Sequence, residues 1–293
     1  MNTDVEVHDR IKNIANLPTL PQVASHLMRI INDPRTSSAD VAELVSQDLS
    51  LSAKILRLAN SAFYGIPKSI TSINNAIVIL GFKVIHTMVL SLTVFDMFPE
   101  ENRASSALFN RKAFWAHSLC CGLAAKMLAI KIQNRVLFDP DEAFCAGLLH
   151  DIGKVVMEQY LHEDFHTALQ VAQKEKIPAW KAEQKTLGYT HTDISRLLIS
   201  GWGLPNEIEM PIIKHHTPMD ENQYSEIIAL CHLADWICYE TGLSMNPEFV
   251  TPDINAEALK KLNLSSEEIE DIKNDLPHEL EKSAVYIDIA SGN

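Results

Sequence analysis

Segment 147–154, GLLHDIGK, sets a histidine beside an aspartate at the end of an apolar stretch, AFCAGLL. A neutral imidazole and a carboxylate together suit a hard-to-borderline cation such as Fe, Mn, Zn or Mg. Successive helix residues diverge by about 100°, so His150 and Asp151 can serve one centre only where their helix points edge-on into it. Gly153 permits close approach of a neighbouring backbone, and Lys154 can hold a phosphate as a point charge. A His-Asp dipeptide alone is more often a hydrogen-bonded pair than a ligand pair. Similar intrusions elsewhere change that balance: His117 in FWAHSLCC, His191 in GYTHTD, His215 and His216 in PIIKHHTP, and Asp235 in IIALCHLADWIC. They fall on different predicted helices, and a buried carboxylate such as Asp235 needs a cation or a strong donor.

The elements that must position these residues read as helices throughout. Apolar residues recur at 3.6-residue spacing, and no sustained alternation of strand type occurs. The pattern predicts an all-α chain. A first block carries helices over 21–32, 38–48, 50–60, 72–80 and 82–97, with Ser38 as an N-cap and SAFYGIP as a turn. A polar break at 99–106 precedes a second block, which opens with a long helix over about 107–131, follows with a single helix over 141–161 and continues to 241. After Gly242 the chain turns Asn/Pro-rich and then strongly acidic from Glu267 to Glu281. The expected organisation is a helical lobe over 1–100, a second helical lobe over 101–245, and an acidic tail of short helices over 246–293 packed on their surface.

Composition narrows the functional classes. The 293 residues are 46% hydrophobic and 22% charged, ordinary for a globular chain. With 25 basic and 38 acidic residues the formal charge is −13, which gives no reason to wrap duplex nucleic acid or coat an anionic membrane. The amino-terminal MNTDVEVHDR lacks the pattern of a secretory leader. The charge-free run 84–95 is too short to span a bilayer, which takes roughly 20 apolar residues. Five cysteines in apolar context form no CxxC pair, so a reducing, cytoplasmic location is expected.

The order His117, His150-Asp151, Asp235 resembles the H…HD…D signature of the HD superfamily of metal-dependent phosphohydrolases. His191 and the pair His215-His216 fall where the HD-GYP branch supplies ligands for a second metal. The first block is similar to a narrower family: LPTLPQVASHLMRII, VSQDLSLSAKILRLANSAFYG and SINNAIVILGFKVI resemble the HDOD domain, an HD-related output domain of bacterial signalling proteins. The likeness runs from about Leu17 to Thr241. It implies a two-lobed HDOD architecture with an HD-like helical bundle. It also implies a divalent transition metal, one or two ions, Fe or Mn first and Zn or Mg within range. Asp151 would bridge, with His117, His150 and Asp235 on one ion and His191, His215 and His216 on the other.

The same resemblance implies two opposed functions. HDOD domains are usually regarded as non-catalytic, and many have lost the metal residues that this chain keeps. Protein partners acting in trans then follow. An enzyme would instead be a phosphohydrolase acting on a nucleotide or cyclic dinucleotide, with Asp151 and Lys154 at the chemistry. Against it, no GYP follows His215-His216, and Ala113 stands where many HD-GYP relatives place a Glu ligand. Signalling is the expectation preferred here. Arg57, Asn60 and Ser61 read first as a helix C-terminus. Trp115, Trp202 and Trp236 read as core, and the remaining histidines as structural or exposed.

Overall fold

The computed structural model describes residues 17–30, 33, 35–99, 108–135, 138–219, 223–245 and 250–292. The amino-terminal stretch with His8, and nearly all of the expected polar break at 99–106, lie outside them. Among the described residues the regular structure is helical, with no strand.

The first block folds as α1 (Gln22–Ile30), α2 (Ser38–Ser46), α3 (Leu49–Ala59), α4 (Ile73–Leu80) and α5 (Phe82–Met97). Side chains fix where these helices begin. The N-cap of α2 is Ser37, one residue before the expected Ser38. Its hydroxyl accepts from the Asp40 N–H while Asp40 accepts from the Ser37 N–H, a reciprocal pair that satisfies two end donors. Asp48 and Ser72 cap α3 and α4 more simply, their side chains accepting from the Leu51 and Asn75 N–H groups. Asn60 closes α3 and clamps the following loop, accepting from Ile70 N at 2.7 Å and donating to Ile70 O at 2.8 Å. Asn60 is therefore accounted for by the loop it holds.

The second block comprises α6 (Arg111–Ile132), α7 (Pro140–Leu149), α8 (Ile152–Tyr160), α9 (His162–Glu175), α10 (Ala179–Leu187), α11 (His191–Ile199), α12 (Asn206–Lys214) and α13 (Ser225–Glu240). The helix expected over 141–161 is two, broken at His150-Asp151. Helix α6 is long and apolar enough to cross a membrane by length and composition, yet 72% of its most apolar window is buried inside the fold. It is a core helix, packed against α7 and α13. Two glycines allow the α6–α7 contact. A Cβ on Gly147 would stand 2.6 Å from the Cys121 carbonyl oxygen, and one on Gly122 would stand 2.9 Å from the Phe144 carbonyl oxygen.

Beyond Met245 come α14 (Ala256–Leu262), α15 (Ser266–Lys282) and α16 (Ala284–Ala290). Two of these are seven-residue helices, and the acidic run forms the longer one between them. Helix α15 is continuous over 17 residues, with Ile269, Ile272 and Leu276 turned inward and its charges outward. Helix α16 packs on α3, α5 and α6. Its Tyr286 is fully buried, with its hydroxyl 2.8 Å from that of Tyr64 and its ring against Phe63 and Phe144.

Candidate metal centre

Six helices deliver donors to one buried region. His117 projects from the middle of α6 and Asp235 from the middle of α13. His191 is the first residue of α11, where Asp193 accepts from the Thr190 N–H at 2.8 Å and fixes the helix start. His215 ends α12, and His216 follows it. Between α7 and α8, His150 closes one helix and Asp151 opens the next, with φ −101° and ψ 11°. That break, rather than an edge-on helix, lets two adjacent side chains face the same point. Helix α8 then lies against α11 so closely that a Cβ on Gly153 would come 1.9 Å from the His191 carbonyl oxygen. The Gly153 N–H donates to Ser195 Oγ at 2.9 Å.

The donor atoms converge in two sets joined by Asp151. Asp151 Oδ2 lies 3.3 Å from His150 Nε2 and 3.9 Å from His117 Nε2. Asp235 Oδ1 lies 3.2 Å from His117 Nε2 and 3.6 Å from His150 Nε2. On the other side, Asp151 Oδ1 is 3.0 Å from His191 Nε2 and 3.6 Å from His215 Nε2. His216 Nε2 is 3.1 Å from His191 Nε2. All seven residues read from the sequence are therefore brought together. The Lys154 ammonium is buried and bonded to Asp151 Oδ2 rather than presented at the surface.

The outer nitrogens of these imidazoles are already committed. His150 Nδ1–H donates to the Gly147 carbonyl at 2.8 Å, and His215 Nδ1–H to the Pro211 and Ile212 carbonyls at 3.2 Å each. His117 Nδ1 lies 3.2 Å from the Leu243 carbonyl. A carbonyl can only accept, so the proton sits on Nδ1 and the Nε2 lone pair faces the site. His191 is held differently: both its Nδ1–H, at 2.7 Å, and its backbone N–H, at 2.8 Å, donate to Glu183 Oε2. His232 supports His215 from behind, donating from Nδ1 to the His215 carbonyl at 2.9 Å.

Those lone pairs provide the test of fit. His150 Nε2, His215 Nε2 and Asp151 Oδ1 are buried without a hydrogen-bond partner, although each has another site atom within 3.6 Å. Acceptors gathered at such separations are out of line for hydrogen bonds with one another. The spacing is that of donors around a shared cation, each about 2.1 Å from it. His/Asp donors of this kind fit a divalent first-row metal.

The electrostatics point the same way. Burial raises the Asp151 carboxyl, but His150, Lys154 and His191 outweigh it and hold it well below the usual carboxylate range. Asp235 is likewise held down against burial, by His117 and His150. Burial would lower His150, and the Asp151 carboxylate with the Cys121 sulfur overrides it, lifting the imidazole to about 10. The pocket thus attracts positive charge, as a proton or as a metal ion. Burial takes His215 down to about 4, keeping that imidazole neutral and its lone pair available.

Two contributors escaped the sequence reading. Cys121 stands one turn beyond His117 with Sγ 3.6 Å from His117 Nε2 and 3.9 Å from Asp235 Oδ1. Burial would raise its thiol, but a Cys238 hydrogen bond and the His117 and His150 imidazoles bring it to about 6. Only its i,i+4 spacing from His117 could have signalled it. Glu183, fully buried on α10, had no such signal.

A helical bundle with these buried His/Asp clusters is an HD-related protein. The chain belongs to the HDOD domain family, whose model matches residues 17–218. An HDOD domain protein of unknown function from Geobacter sulfurreducens shares the fold with a TM-score of 0.72 and 26% identity, covering 98% of this chain and 96% of that one. A Marinobacter aquaeolei VT8 protein, provisionally named for signal transduction, superposes with a TM-score of 0.82 at 20% identity over 99% of this chain and 66% of its own. A Shewanella amazonensis SB2B protein, provisionally named a metal-dependent phosphohydrolase, gives 0.63 at 21% over 97% and 99%. In sequence, an uncharacterized Treponema pallidum protein (strain Nichols) is 25% identical over 230 residues, 78% of this chain, which spans only 43% of that relative's length.

Proposed function

We propose that this chain is a cytoplasmic HDOD regulatory protein, holding one or two divalent transition ions in a buried centre and acting through protein partners in trans. The observation that carries the reading is burial. Side chains of His117, His150, Asp151, His191 and His215 are 0–1% exposed, and that of Asp235 is 6% exposed. A phosphohydrolase needs an open coordination position and a pocket for the phosphate. Here the lysine that could hold a phosphate is spent on Asp151. When bound, a divalent ion would supply the charge that offsets the converging carboxylates and would tie the helices bearing its donors into one unit.

One observation favours the second reading, a nucleotide or cyclic-dinucleotide phosphohydrolase. His216 is the half-buried member of the cluster, and it borders a cavity of about 210 Å³ lined by Trp180, Arg196, Lys214 and Thr217. Trp180 stacks on His216 with ring centroids 5.2 Å apart. The provisional names of the Marinobacter and Shewanella proteins divide along the same line.

Elemental analysis of the purified protein, paired with incubation of the Mn- or Fe-loaded form with nucleotides and cyclic dinucleotides, separates the two. The expected result is bound metal and no turnover. Robust hydrolysis that disappears in Asp151→Asn would overturn the regulatory reading in favour of the enzyme.

A further inference from the structure

A third group of donors lies away from the buried centre. Glu158 is on the last turns of α8, and His162 and His166 occupy one face of α9 across the elbow at Leu161. Glu158 is seven residues beyond Asp151, about 10 Å along the helix rise. The sequence spacing is Glu-x3-His-x3-His. Two histidines at i,i+4 are the arrangement by which one helix face presents a pair of imidazoles to zinc.

The side chains meet that description. His162 Nδ1 lies 3.1 Å from Glu158 Oε1, and His166 Nε2 lies 2.9 Å from Glu158 Oε2. The rings of His162 and His166 are 4.0 Å apart at 31°. One donor atom from each of the three residues falls within 4.8 Å of the others. The three side chains thus bring one carboxylate and two imidazoles to a single point. Glu163 and Asp164 in the first turn of α9 add negative charge around it.

We infer that Glu158, His162 and His166 form a second, surface metal site, selective for a borderline divalent ion of the zinc class, with solvent completing the coordination. Two imidazoles and a carboxylate are a sufficient protein donor set for zinc, and an oxygen-preferring ion such as Mg²⁺ gains little from imidazole. Glu158 and His166 side chains are each 14% exposed and His162 is 44% exposed. This site therefore loads from solvent, whereas the interior donors are covered. Ion binding clips the end of α8 to the start of α9.

The test compares zinc binding by the full chain with that of His162→Ala and Glu158→Gln. Each protein is stripped with chelator and titrated against a chromophoric zinc chelator. His162 is exposed, so its replacement leaves the fold intact, which circular dichroism verifies. The expected outcome is that each variant binds one equivalent fewer than wild type, with unchanged binding in the remaining class. Equal stoichiometry and affinity in all three proteins would overturn the surface site. That result would leave the buried centre untouched, since none of its donors is altered; conversely, a wild-type protein whose only zinc is lost in His162→Ala would support the surface site and remove the buried one.

Discussion

In Asp151 one carboxylate meets both sets of donors, with Oδ2 toward His150 and His117 and Oδ1 toward His191 and His215. Replacing it by Asn keeps the shape and deletes the charge, leaving the Lys154 ammonium buried without its counter-ion. Breaking a buried pair in this way costs about 3–5 kcal/mol. Asp151→Asn is therefore expected to lose metal and to unfold at markedly lower denaturant, and unchanged midpoint and metal content would refute the central role given to it. Cys121 permits a finer test. In cobalt-loaded protein a thiolate donor adds a sulfur-to-metal charge-transfer band in the near ultraviolet; Cys121→Ser should abolish that band while the ion stays bound. At this scale the sequence was readable where a residue violated its surroundings. Imidazoles and carboxylates in apolar helices stood out, and all seven converge. Cys121 did not, because a thiol is at home in an apolar helix. Glu183 did not, because the polar segment around it gives no hint that its carboxylate turns inward.

Among the elements, helix existence was legible from periodicity, while helix ends and close approaches were set by particular side chains. The break between α7 and α8 carries no glycine or proline at His150-Asp151, so periodicity ran across it. Gly153 shows how tight the resulting arrangement is. Gly153→Ala places a methyl group into the His191 carbonyl and must separate α8 from α11, displacing Asp151 from His191. The expected loss is about 3 kcal/mol or more, together with weakened metal retention. Gly201→Ala meets nothing within 4 Å and serves as the control; similar melting curves for the two variants would show that the α8–α11 contact can relax. In the first block, α5 holds His86 buried, with Nε2 2.8 Å from Met28 Sδ. Burial, with repulsion from Lys83, takes its imidazole down from 6.5 to about 4. The unfolded chain therefore binds this proton more readily than the folded one. The His86 contribution is fully present above about pH 6.5 and falls away as pH drops toward 4, by about 3 kcal/mol in total. Denaturation midpoints across that window should decline less steeply in His86→Phe than in wild type.

Across the whole molecule the two helical blocks share a carboxy-terminal brace. Apolar spacing in the acidic run was visible only as a helix with a solvated face; that α16 turns back onto α3, α5 and α6 depends on contacts between residues far apart in the chain, which local pattern does not encode. Tyr286 is the residue on which that return depends. It fills space between Phe63 of the first block and Phe144 of the second, and its hydroxyl meets Tyr64. Both hydroxyls are best satisfied by each other, so Tyr286→Phe leaves Tyr64 short of a partner at about 1 kcal/mol. Tyr286→Ala also empties the ring's site, and a cavity of that kind costs about 3–5 kcal/mol. None of the metal-centre donors touches this ring, so the Phe variant should keep its metal at full occupancy while the Ala variant loses stability first. Chemical denaturation followed by tryptophan emission, with metal analysis on the same samples, reads both effects. If Tyr286→Ala unfolded at the wild-type midpoint, α16 would be an appendage rather than a brace, and the two blocks would be held by direct contacts such as those of α5 with α7 and of Phe95 with Trp115.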